Sequence, residues 1–74
     1  PTPTACFAQA LEILTDIGAR GEQARTLYQW ARYELRNGDS GQGAAHWAAA
    51  RDLFIQLGMS GELARMEAEP ALHA

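Results

Sequence analysis

The sequence predicts an all-α fold: an antiparallel helix–turn–helix array of three main helices and a short fourth. Three observations carry it. Apolar residues recur at spacings of three and four. No segment alternates with period two, so no strand is expected. Most of the chain also repeats itself forty residues on. Ala10-Leu11-Glu12-Ile13-Leu14 lies over Ala50-Arg51-Asp52-Leu53-Phe54, Ile17-Gly18 over Leu57-Gly58, and Gly21-Glu22-Gln23-Ala24-Arg25 over Gly61-Glu62-Leu63-Ala64-Arg65. Across 10–25, 6 of 16 positions are identical to their counterparts, including two glycines and a Gly-Glu-x-Ala-Arg string.

The first helix is expected over 4–18. Phe7, Ala10, Ile13, Leu14 and Ile17 share its apolar face, Thr2 can cap it, Pro3 suits its first turn, and Gly18 supplies a left-handed stop. The second runs from about Glu22 to Asn37. Its apolar arc is Ala24, Leu27, Tyr28, Ala31 and Leu35, with Trp30 at the margin and Gly38 as the stop. The third runs from about Gly41 to Leu57 behind Asp39 or Ser40, and the two together make one helix pair over 22–57. Gly43, Trp47, Ala50, Phe54 and Leu57 share a face, and Gly58 ends it. A short capping helix over 60–69 starts behind Ser60 and holds Leu63, Ala64 and Met66. Pro70 ends it, and 70–74 read as tail. Trp30, Trp47, Phe7 and Phe54 are expected in the core, and Ile55 and Tyr33 outside it.

The second and third helices resemble a tetratricopeptide repeat, a helix–turn–helix unit of 34 residues. Against the opening W-x2-L-G-x2-Y stands Leu27-x2-Trp30-Ala31-x2-Glu34. Against A-x3-F with a further Ala stands Gly43-x3-Trp47-x2-Ala50, and Gly38-Asp39 matches the turn. Glu34 departs from the family's aromatic, the closing Pro is absent, and the period is forty. The chain therefore looks like the longer-period variant found in C-terminal arrays of bacterial regulators. The resemblance covers about 4–67 and implies a fragment of an α-solenoid, with a second-type helix over 4–18 ahead of the full pair. It also implies a scaffold that binds a protein or peptide along a groove, and not an enzyme. Glu67 falls where Leu27 sits one repeat earlier, so the array is expected to end there.

Composition excludes several alternatives. The 74 residues make one domain at most, with 47% hydrophobic and 20% charged residues. Net charge is −3, a poor match to nucleic acid, and the longest apolar run, 47–50, cannot cross a membrane. The lone Cys6 rules out an internal disulfide and fits a cytoplasmic, reducing setting. With Pro1 first and no initiator Met, the chain reads as processed or as a segment of something longer. So small a core supplies only about 3–5 kcal/mol, which makes self-association through open helix ends an expectation.

The candidate partner-binding residues are Arg25, Tyr28, Gln29, Arg32 and Arg36. Arg25, Gln29, Arg32 and Arg36 fall within about 60° of arc on the second helix, opposite Leu27 and Ala31, and 21–38 is the one stretch of positive balance. In the resembling family this face lines the groove, where guanidinium groups would take an acidic segment of a partner by paired donors. The bland alternative is a solvated helix face.

Cys6 and His46 occupy equivalent repeat positions, so they are candidate neighbours. The structural reading places both in packing, and a nucleophile or metal site would need further ligands. No cofactor is implied. The carboxylates are spread singly, no pair showing the isolation that acid–base chemistry needs, and Glu62, Glu67 and Glu69 are expected to face solvent.

Overall fold

The computed structural model describes residues 2–69. They form four helices: α1 Pro3–Asp16, α2 Arg20–Asn37, α3 Ser40–Leu57 and α4 Ser60–Glu67. Among the described residues there is no strand. Links of two or three residues turn each helix back beside the previous one. The all-α class and the element order agree with the sequence reading; the boundaries move by one or two residues.

The helix ends have local causes. Thr2 caps α1, its hydroxyl oxygen accepting from the Ala5 amide at 3.1 Å, with Pro3 directly behind. Asp39, not Ser40, caps α3, accepting from the Gln42 amide at 3.0 Å. The forty-residue repeat reappears as a repeated joint. Gly18 and Gly58 are left-handed at φ +73° and +69°. The Ala19 amide donates to Leu14 O at 3.0 Å and the Met59 amide to Phe54 O at 2.9 Å. The next helix then opens with Gln23 N to Ala19 O at 2.9 Å and Leu63 N to Met59 O at 3.0 Å. Neither α2 nor α4 has a side-chain cap, so Ser60 belongs inside α4 and does not cap it.

α2 and α3 form the main pair; α1 packs on α2, and α4 on α3. Ala24, Tyr28, Ala50, Phe54 and Met66 make a buried cluster, with Leu27, Trp47, Leu53, Met59 and Leu63 packed against it. Small residues let the helices close up. A Cβ on Gly43 would stand 3.0 Å from the Leu35 amide nitrogen and 2.7 Å from Leu35 Cγ, so α3 approaches α2 as closely as the missing side chain allows.

Several burial expectations are corrected. Trp30 is buried, as expected of the core, although it stands at the margin of the α2 arc, because α1 and α3 both cover it: Phe7 stacks on it at 6.1 Å between ring centroids and His46 at 4.0 Å. Phe7 and Trp47 are only half-buried. Tyr33 is half-buried too, its ring 6.1 Å from Phe7, so it is not an outward contact, whereas Ile55 is. Ala64 is exposed on α4. The tail at 70–74 lies outside the described residues.

Candidate partner-binding cleft

The stripe on α2 faces α4 across a cleft of about 440 Å³. Arg25, Tyr28, Gln29 and Arg32 line one wall, and Glu62, Arg65 and Glu69 the other. Four of the five candidate residues thus meet in one place. Arg36, the fifth, stands beside the cleft and reaches into the same charge network.

Glu69 organises that network. Its Oε2 accepts from the Tyr28 hydroxyl at 2.7 Å and its Oε1 from Arg36 Nη2 at 2.8 Å. Arg32 Nε stands 3.4 Å from Oε2, buried, without completing a hydrogen bond. The Glu69 side chain is 15% exposed. Its expected place in solvent is therefore corrected: the Tyr28 ring rises from the core and brings its hydroxyl to the Glu69 carboxylate. The Tyr28 O–H, ahead of the opposing effect of burial, holds the Glu69 carboxyl below the usual glutamate range, with Arg32 and Arg36 adding to it. Burial, followed by the bond to Glu69, pushes the Tyr28 phenol up. Tyr28 is thus a core residue with a polar tip, as tyrosines at wet boundaries often are. The Arg32 guanidinium lies 5.6 Å from its ring centroid.

Glu62 sits lower in the cleft, 3.5 Å from both Arg25 Nε and Arg65 Nη1. Its side chain is largely covered, which corrects the second of the three solvent assignments. Arg25 also pairs with Glu22 one turn back, and Gln29 accepts from Arg32 at 3.1 Å. Glu67 is the member of the three that does lie in solvent, 3.4 Å from Arg51. Counting Glu22, four arginines thus surround three carboxylates, and the network keeps a cationic surplus of one.

A second polar cluster went unnoticed in the sequence. Glu34 is buried, 4% exposed. Its carboxylate accepts from Trp30 Nε1 at 3.0 Å, from the Thr4 hydroxyl at 3.1 Å and from the Asp39 amide at 3.3 Å. It thereby ties α1, α2 and the turn into α3. Chiefly the Trp30 N–H holds its carboxyl below the usual range, against burial. The one signal was a glutamate at a position the resemblance reserves for an aromatic, with Trp30 one turn before it. All its donors are satisfied within the fold, so this cluster is a fastening and not a site.

Cys6 is exposed, which corrects its expected burial. His46 is half-buried on Trp30, and its Nε2 has no hydrogen-bond partner. Among the described residues, no group of three or more His, Cys, Asp or Glu could hold a metal ion. Nor is any described helix long and apolar enough to cross a membrane. Comparison with family models, curated proteins and solved structures returns no match.

Proposed function

We propose that this chain is a non-catalytic protein-interaction module, a tetratricopeptide-like scaffold element of a larger cytoplasmic regulator, that takes an acidic peptide segment in the α2–α4 cleft. The observation that carries the reading is the arginine surplus: Arg25, Arg32, Arg36 and Arg65 around Glu22, Glu62 and Glu69. Guanidinium groups offer forked donors that match carboxylates. A patch of this sign on a chain of net charge −3 selects acidic partners over nucleic acid. The test is binding of a fluorescent hexaglutamate peptide to the chain and to the Arg25→Ala, Arg32→Ala, Arg36→Ala triple variant, with helix content checked by circular dichroism. Binding should be lost in the folded variant and weaken with salt. Equal binding by both would sink the reading.

A second reading has its own observation. Ile13 and Ile17 are 54% and 70% exposed, although their repeat counterparts Leu53 and Leu57 are half-buried. An apolar face left open on α1 favours an oligomerisation role for the same module.

A further inference from the structure

The cleft already holds a carboxylate, and that carboxylate belongs to the chain. We propose that Glu69 is a built-in occupant of the cleft, standing where an acidic residue of a partner binds, so that the partner must displace Glu69 to enter. This inference rests on the reading of the cleft as an acidic-peptide site.

Both oxygens of Glu69 are engaged, by Tyr28 and Arg36. That is the arrangement a recognised carboxylate makes with an arginine-lined site, charge-assisted bonds on each oxygen. The residue also lies beyond the last helical position of α4, Glu67. Among the described residues its backbone is tied by one bond, from the Glu69 amide to Met66 O at 3.1 Å. What anchors α4 lies upstream, at the fully buried Met66 and the half-buried Leu63. Glu69 can therefore leave while the helix stays docked.

The repeat sharpens the point. Forty residues earlier the equivalents of Glu62, Arg65 and Glu69 are Glu22, Arg25 and Gln29. The stripe of α2 continues onto α4 with one change of charge, Gln to Glu, and that change supplies the occupant. With Glu69 withdrawn, four arginines face Glu62 and Glu22, and the buried Arg32 Nε is left for a carboxylate that enters.

The test compares hexaglutamate binding by the full chain, Glu69→Ala and Glu67→Ala. Glu67 lies two residues earlier and carries the same charge, but it pairs with Arg51 away from the cleft. Removing a competitor held by charge-assisted bonds raises affinity on the order of tenfold, so Glu69→Ala should bind about that much tighter and Glu67→Ala about as the parent does. Equal tightening in both variants would reduce the effect to net charge and overturn the proposal. Binding by the parent with none gained in Glu69→Ala would overturn it too, yet leave the acidic-peptide reading standing. No binding by parent or variant would remove that reading, and the proposal with it. Hydrogen exchange on the parent needs no variant to fold: saturating peptide should speed exchange of the Glu69 amide, and slowed or unchanged exchange there counts against displacement.

Discussion

Glu34 and Glu69 show how much one carboxylate does in a chain of this size. Each accepts hydrogen bonds from other elements, and each is held below its ordinary value of 4.5, Glu34 chiefly by the Trp30 N–H and Glu69 chiefly by the Tyr28 O–H. A group with a depressed folded-state value binds fewer protons folded than unfolded. Its contribution is complete above the ordinary carboxylate range and is lost as pH falls through the lower folded-state values. Thermal midpoints followed by circular dichroism should therefore hold steady from neutral pH to about 5 and drop below about 4. Glu34→Gln should lower the neutral-pH midpoint and flatten that acid limb; an unchanged limb would mean that Glu34 is not the linked group. Neither role was legible in the sequence, for a physical reason. The partners lie far along the chain, Thr4 thirty residues from Glu34 and Tyr28 forty-one from Glu69, and only packing brings them together. The arginine stripe was legible because helical periodicity alone sets it.

Helix boundaries, by contrast, are set within a turn or two, and they could be read. Thr2, Pro3, Gly18, Asp39 and Gly58 act where local rules place them. Trp30 stands at the margin of the α2 arc yet is buried, because α2 has neighbours on two sides and one apolar arc cannot record both. The close approach at Gly43 gives a test at this scale. Alanine gains up to about 1 kcal/mol of helix propensity over glycine, but its Cβ at Gly43 would press on the Leu35 backbone nitrogen, which no rotamer change relieves. Overpacking of that kind costs about 1–3 kcal/mol, so Gly43→Ala should be net destabilising. Gly61, inside α4 with nothing within 4 Å of such a Cβ, should respond with the opposite sign. Urea melts of both variants decide it; stabilisation by Gly43→Ala would disprove the close-packing account.

The whole molecule is a slab, 35 × 33 × 14 Å. No described helix is covered all round: even α2 has only five buried residues among its 18. α1, at one end, has no buried residue among its 14, and Ile13 and Ile17 remain open. Sedimentation equilibrium over a wide concentration range should show the chain associating and an Ile13→Glu, Ile17→Glu variant staying monomeric. A parent that is monomeric throughout would exclude the oligomerisation reading. The matched joints at Gly18 and Gly58 carry a consequence for how such a slab changes length. Residues 18–57 form a cassette whose two borders are interchangeable, each a left-handed glycine feeding the same amide-to-carbonyl stitch. Splicing at those borders in whole cassettes would preserve the facing of every helix, because each border restores the same left-handed glycine and the same stitch ahead of the next helix.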